Sequence, residues 1–331
     1  MNIYDVAKRA GVSTATVSRV INDSSKVSPK TQEKVRRVMA ELNYTPSQIA
    51  VGLATNVTRT VGIMVPDVRD NFHATAAFLL ENELLAHGYN CILCNTTGQP
   101  DKMAHYLATL YAKQVDGIVL VGSSYADQTL SDAYQRLTRP IPMVGINAVG
   151  APGTYCVLCD EAHGMREALT HLRQQGRQAP AFLRDPQPYQ NRASRTKEEA
   201  YRQGMKTVYG LEAQPLTLSA EPSVESYRTL LRQMKQEHPQ VDAILCTNDF
   251  CCAELLKALQ AEGIPVPERM ALVGFNNSYI TDLTSPTITT IDHHVTEHCA
   301  KAVEKLLTAM NGGHPDPVTY IQPHLVIKET T

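Results

Sequence analysis

Ile3-Tyr4-Asp5-Val6-Ala7-Lys8-Arg9-Ala10-Gly11-Val12-Ser13-Thr14-Ala15-Thr16-Val17-Ser18-Arg19-Val20-Ile21-Asn22 contains two helical periods separated by a turn. Ile3, Val6, Ala7 and Ala10 recur at i, i+3, i+4 and i+7, which gives one apolar face. Gly11 suits the left-handed backbone that ends a helix, and Ser13 is a good N-cap for the next one. The second helix runs to about Asn22. It turns Val17, Val20 and Ile21 inward and shows Thr14, Ala15, Ser18 and Arg19 on its other face. Two helices joined by a tight Gly-containing turn, the second exposing small polar residues and one arginine, form the arrangement that enters a DNA major groove. Arg19 is able to bond guanine O6 and N7 at once, a contact worth about 1–3 kcal/mol of discrimination. Thr14 and Ala15 lie where base edges pass, with Ser18 and Asn22 further along the helix. Tyr4, Ser13 and Thr16 are placed for phosphates, as are the helix N-terminal amides.

Outward from that stretch, residues 23–26 read as a loop. Ser28-Pro29 opens a third helix as N-cap and first helical residue, with Val35, Val38, Met39 and Leu42 as its buried stripe. Asn43-Tyr44-Thr45-Pro46 closes a head of residues 1–46. Residues 47–58 read as a hinge or linker. Ser47 caps a helix of two turns that Gly52 and its shortness make marginal.

From residue 60 the texture changes. Strands are expected near 60–66, 89–95, 117–122 and 142–147, with helices near 72–87, 99–114 and 127–138. After Pro152-Gly153 the pattern restarts. Strands then fall near 155–160, 179–184, 214–218, 242–247 and 270–276, with helices near 162–175, 195–209, 223–237 and 250–262. Such alternation gives parallel sheets covered by helices on both faces, and two successive sets imply two sheets. A helix near 294–311 and an extended tail near 318–328 fit as elements completing the two sheets or as an appendage, and the local pattern does not choose.

Composition narrows the function classes. The chain has 331 residues, 43% hydrophobic and 19% charged, enough for two or three domains and substantial cores. Net charge is −2. Residues 1–58 carry eight Lys/Arg against four Asp/Glu, so the head is +4 and the remainder −6. A basic head on an acidic body points to the head as the part that meets a polyanion. The N-terminus lacks a basic region leading into an apolar run, and no apolar stretch approaches eighteen residues. A cytoplasmic protein with no membrane partner is therefore expected. Two C-x-x-C pairs, Cys91/Cys94 and Cys156/Cys159, lie in apolar strand-like runs where residues three apart face opposite ways, so buried thiols are expected rather than a metal site. His293 and His294 are adjacent and point differently, and with His298 they offer no ligand set at metal spacing. No catalytic triad, G-x-S-x-G or GxGxxG stands out. No cofactor, metal or enzymatic activity is expected.

The residues quoted above closely resemble the head of the LacI/GalR family of bacterial transcription regulators. So do Leu42-Asn43-Tyr44-Thr45-Pro46, the strand Thr60-Val61-Gly62-Ile63-Met64-Val65-Pro66-Asp67, Thr247-Asn248-Asp249, Val273-Gly274-Phe275-Asn276-Asn277 and Thr289-Thr290-Ile291. The resemblance covers essentially the whole chain. It implies an all-α helix-turn-helix head, a hinge helix, and an α/β sensor of two Rossmann-like subdomains resembling periplasmic binding proteins. Double-stranded DNA bearing a roughly palindromic operator, a small-molecule effector in the sensor cleft, and a second copy of the chain in a homodimer are the implied partners. Leu53 is the implied minor-groove wedge. The usual Ala-Arg-x-Leu is here Ala50-Val51-Gly52-Leu53, so the hinge lacks its arginine and carries a glycine that costs about 1 kcal/mol.

By the same resemblance the sensor spans 59–331. Subdomain 1 is expected to comprise about 59–153 and 290–316, and subdomain 2 about 154–289 and 317–331. The cleft positions correspond to Phe72, His73, Asn147, Asn248, Asp249 and Asn276, together with a polar stretch 189–197 carrying Arg192, Arg195 and Lys197. Two positions commonly aspartate in sugar-responsive members are Asn147 and Asn276. Loss of two acids and gain of bases would suit an anionic effector such as a sugar phosphate or sugar acid. The alternative is a neutral sugar with the bases solvated. A solute-binding protein or a sugar-converting α/β enzyme is the rival class, and the basic head argues against both. With no heptad segment after Thr331, a dimer rather than a tetramer is expected.

Overall fold

The computed structural model describes residues 1–22, 24–45, 57–123, 128–149, 154–186, 192–211 and 215–331. Residues 46–56, which hold most of the expected hinge (47–58) with Leu53, lie outside the described residues, as do 187–191, which include the start of the polar stretch.

The head packs α1 (Ile3–Ala10), α2 (Thr14–Asn22) and α3 (Pro29–Glu41) around Val6, Ala7, Ala10, Val17, Val20, Val35 and Val38. Its helix ends follow from local chemistry. Asn2 Oδ1 accepts from Tyr4 N and Asp5 N while Asp5 Oδ2 accepts from Asn2 N, a reciprocal capping box. Gly11 sits at φ 61° and ends α1 by donating to the carbonyls of Ala7 and Lys8. Ser13 Oγ accepts from Thr16 N at 3.1 Å and starts α2, and Ser28 does the same for α3 through Thr31 N.

The sensor is built on two six-stranded sheets among the described residues. The first has the order β11-β5-β4-β3-β1-β2, with β1 Thr60–Val65, β2 Asn90–Asn95, β3 Gly117–Val121, β4 Met143–Ile146, β5 Tyr155–Cys159 and β11 Val318–Ile321. All its pairings are parallel. Helices α4 (Asn71–Ala86), α5 (Pro100–Ala112), α6 (Gln128–Gln135) and α12 (Val295–Met310) belong to it. Strand alternation divides its core. Val61, Ile63 and Val65 pack with Leu80, Leu84 and Leu306 on one face, while Met64 packs with Leu107 and Leu110 on the other. Cys91 and Cys94 go to opposite faces in the same way, and burial pushes each thiol up to about 11.

The second sheet has the order β12-β10-β9-β8-β6-β7, with β6 Pro180–Arg184, β7 Thr217–Ser219, β8 Ala243–Cys246, β9 Ala271–Phe275, β10 Thr289–Asp292 and β12 His324–Val326. Only the β10–β12 pairing is antiparallel. Its helices are α7 (Glu161–Gln174), α8 (Arg192–Tyr209), α9 (Val224–Glu237), α10 (Asp249–Ala261) and the short α11 (Ile280–Leu283).

The subdomain boundaries expected from sequence are corrected by this pairing. The strand at 155–159, expected in the second subdomain, pairs with β4 in the first sheet. Thr289–Asp292, split across the expected boundary at 290, forms a strand of the second sheet. The tail divides between the two. Its first strand, at 318–321, pairs with β5 and its last, at 324–326, with β10. The chain therefore crosses between sheets after β5, after β10 and after β11. Hydrophobic alternation shows that a strand exists but not which edge accepts it, because a parallel edge strand buries the same residue types in either sheet. No helix among the described residues is long and apolar enough to cross a membrane.

Candidate DNA-reading head and effector cleft

The outer face of α2 carries Ala15, Ser18, Arg19 and Asn22, spaced i, i+3, i+4 and i+7, opposite buried Val17 and Val20. Ala15 and Arg19 are exposed, as are Ser13 at the helix start and Tyr4 on α1. Thr14, Thr16, Ser18 and Asn22 are half-buried. Asn22 Nδ2 donates to Ser18 Oγ at 3.3 Å, which ties two of the outward side chains together. Thr16 Oγ1 lies 2.9 Å from Ser13 Oγ, so both hydroxyls gather at the α2 N-terminus, where backbone N–H groups favour a phosphate.

The second site is a cavity of about 120 Å³ between the carboxyl ends of the strands of the two sheets. That is where open parallel sheets bind ligands. Phe72, His73, Asn147, Lys197, Asn248 and Asn276 line it as the sequence reading placed them. Asp70 caps α4 by accepting from His73 N at 3.1 Å, and this sets Phe72 and His73 at the rim. His73 Nδ1 meets Asp67 O at 3.2 Å, so Nδ1 carries the proton and Nε2 is left as an acceptor. Burial lowers the pKa of this ring, which keeps it neutral. Gly122, at φ +96°, passes so close that a Cβ there would lie 2.6 Å from His73 Nε2. Asn147 sits at φ 53° and its Oδ1 accepts from Cys159 N at 2.8 Å, which locks the end of β4 to the first crossover. Asn248 caps α10 through Cys251 N.

Lys197 is buried. Its Nζ donates to Thr247 O at 2.9 Å and lies 3.8 Å from the centre of the Phe275 ring. The guanidiniums named with it do not join it. Arg192 lines a neighbouring hollow with Tyr320 and Thr196, and Arg195 is exposed and lines neither space. Two positions along a helix turn a side chain by about 200°, so Arg195 and Lys197 cannot share a face. Asp249 is also displaced from its expected role. It lies behind the wall, where Oδ1 accepts from Thr290 Oγ1 at 2.6 Å and Oδ2 from Ser278 N at 2.7 Å. Burial pushes it up to about 6 against those bonds.

Sequence reading missed Asp70, Ser123, Glu161, Asp185, Thr247 and His293, all of which line the cavity, as does Ser194 of the expected polar stretch. Asp185 accepts from Thr247 Oγ1 at 2.7 Å and from Ser194 Oγ. His293 is buried against Phe72, with ring centroids 4.8 Å apart, and its Nε2 has no hydrogen-bond partner among the described residues. Desolvation holds its pKa well below the usual histidine range. Glu161, the first residue after the β5 crossover, is pushed up to about 7 by burial, with Lys197 and Arg192 pulling the other way. Its position at a strand's carboxyl end was a usable signal, as was that of Asp185.

Glu161 gives a pH prediction. The folded carboxyl keeps its proton to about pH 7, whereas the unfolded one loses it near 4.5. Folding therefore takes up a proton between those values, and stability falls as pH rises through that window, by about 3 kcal/mol from this group. Asp249 acts with the same sign over a lower window, from 3.8 to about 6. Urea unfolding at pH 5 and pH 8 is expected to show the intact protein less stable at pH 8. Glu161→Gln should lose most of that difference by gaining stability at pH 8. An unchanged pH dependence in the variant would show that Glu161 ionises normally.

Comparisons with known proteins bear on the family and the fold. Residues 2–47 match the family model described as bacterial regulatory proteins, lacI family, and residues 169–331 match a periplasmic binding protein-like domain. An HTH-type transcriptional regulator of Lachnoclostridium phytofermentans is 34% identical over 334 residues, covering 100% of this chain and 99% of the relative. The ribose operon repressor of Halalkalibacterium halodurans is 30% identical over 330 residues, covering 99% and 96%. The crystal structure of the Lac repressor dimer bound to operator and the anti-inducer ONPF superposes with a TM-score of 0.88 at 24% identity, covering 100% and 99%. The chain belongs to the lacI family of bacterial regulatory proteins. It is a DNA-binding transcriptional regulator with a helix-turn-helix head and a periplasmic-binding-protein-like sensor.

Proposed function

We propose that the protein is a repressor that binds a two-fold symmetric operator as a homodimer and changes its DNA affinity when a neutral polyhydroxylated molecule, a compact sugar, enters the cleft. The reading is of binding rather than turnover, at the chromosome and hence in the cytoplasm. The balance of charge lining the cavity carries it. Among the described lining residues, Asp70 and Asp185 face one lysine, Lys197, with Glu161 shifted by burial to about 7 and so only part-ionised at neutral pH, while burial lowers the pKa of His73 and His293. That wall offers acceptors to hydroxyl groups and repels a phosphate or a second carboxylate. The anionic effector considered from sequence rested on Arg192, Arg195 and Lys197 and on two absent acids; of those bases Lys197 alone lines the described cavity, and Asp70 and Asp185 line it as well. The relatives support a sugar, since one is a ribose operon repressor and a further similar structure is a CelR–cellobiose complex at 25% identity and TM-score 0.70.

Self-association is supported by apolar side chains left exposed on both subdomains. Phe78 and Leu85 on α4 lie with Leu93 on the edge strand β2, and Phe250, Tyr279 and Leu283 are exposed at α10 and α11. Grouped exposed apolar side chains of this kind mark interfaces.

A thermal-shift panel on the intact protein tests the effector class. At least one neutral pentose or hexose is expected to raise the melting temperature, with the matching sugar phosphates and acids giving no shift. Stabilisation by phosphates or acids alone would overturn the neutral-sugar reading.

A further inference from the structure

Asp292, His294 and His324 come together outside the cleft, their ligand atoms all within 4.8 Å of one another. Asp292 ends β10, directly opposite His324 in the antiparallel β10–β12 pairing, and His294 lies on the crossover from β10 to α12. His324 opens β12 directly after the crossover from β11. We propose that these three side chains form a site for a divalent transition-metal ion that ties two of the crossovers together. The proposal is independent of the effector.

The geometry favours an ion over a fortuitous surface contact. His324 Nδ1 lies 2.9 Å from His294 Nε2, with the two rings 4.7 Å apart and inclined by 30°. The two ring nitrogens therefore face each other, one ring donating its N–H to the other. Tetrahedral zinc with bonds of about 2.0–2.1 Å places two imidazole nitrogens about 3.3 Å apart. Opening the pair by a few tenths of an ångström therefore admits the ion in place of the proton.

The carboxylate is already oriented for the third position. Asp292 Oδ1 accepts from His294 N at 2.7 Å and Oδ2 from Asn277 Nδ2 at 3.0 Å, and each oxygen keeps a second lone pair. Hydrogen-bonded ligands of this kind are the usual second shell of a metal site. His294 takes the left-handed backbone, φ 58° and ψ 55°, at the turn between inward His293 and the start of α12. Two imidazoles and one carboxylate suit Zn²⁺, Ni²⁺ or Cu²⁺ rather than Mg²⁺ or Ca²⁺. Adjacency of His293 and His294 hid this set from sequence reading, because the second imidazole comes from thirty residues further on.

The test uses intact, tag-free, chelator-treated protein titrated with ZnCl₂ by calorimetry, and CoCl₂ followed by absorption. One Zn²⁺ per chain is expected. His294→Asn, which tolerates the left-handed backbone, and His324→Gln should each weaken binding by at least about tenfold while melting like the wild type without metal. The Co²⁺ complex should show no thiolate charge-transfer band. Absence of Zn²⁺ binding, undiminished binding in both variants, or a thiolate band would each overturn the site. Should a variant fail to fold, the wild-type stoichiometry and Co²⁺ spectrum still decide.

Discussion

Arg19→Ala is expected to remove most of the preference of the protein for its operator while leaving its affinity for unrelated DNA nearly unchanged. Arg19 is exposed on the outer face of α2, away from the Val17 and Val20 side that holds the head together, so truncation costs little in folding. A bidentate arginine–guanine contact is worth about 1–3 kcal/mol. A dimer presents two such arginines, so the expected loss is about 2–6 kcal/mol, roughly 30-fold to 10⁴-fold in specific affinity. Fluorescence anisotropy with operator and scrambled duplexes separates the two terms, because phosphate contacts survive in both. Equal losses on the two duplexes would reassign Arg19 to the phosphate backbone, and no loss on either would remove it from the interface.

Lys197→Met is expected to weaken effector control of that binding while leaving the DNA affinity itself unchanged. The lysine is the one cation lining the described cavity walls, and among the described residues its Nζ donates one hydrogen bond, to Thr247 O, and packs on the Phe275 ring. Its remaining N–H groups are the charged donors a ligand hydroxyl would meet. A hydrogen bond to a charged group contributes about 1.5–3 kcal/mol, so effector affinity should fall roughly 10- to 100-fold. Methionine keeps the length and the packing on Phe275, and Glu161, already raised to about 7, takes up a proton rather than standing as an unpaired buried charge. Glu161 then loses the stronger of the two cations that pull its pKa down and should titrate higher still. Calorimetry with the sugar found by thermal shift reads the affinity. Wild-type affinity in the variant would place the ligand elsewhere in the cleft.

Much of this was legible because it is local. The head was readable from side chains that act within one turn, such as Gly11 at a left-handed position and Ser13 and Ser28 at N-caps. In the cleft, Phe72, His73, Asn147, Asn248 and Asn276 came from the resemblance to the family, and their places at the carboxyl ends of parallel strands, where ligands gather, agree with it. What was missed depends on distant partners. β10 is four residues long and buries Thr289 and Thr290, so its pattern does not read as an apolar strand. Without β10 there was no strand end to nominate His293. Glu161 was missed because β5 was assigned to the other sheet, which hid the crossover that delivers it to the cavity. Arg195 shows the opposite error, a charge counted by its place in the sequence when helix geometry turns it outward.

Selection of bound duplexes from a random-sequence library by the intact protein tests most directly whether the head reads DNA and the chain works as a two-fold dimer. The expected result is enrichment of one motif with two-fold symmetry, bound at least about 10³-fold more tightly than unselected duplex at the same salt. A library that emerges without an enriched motif, or with uniform affinity set by salt alone, would contradict it.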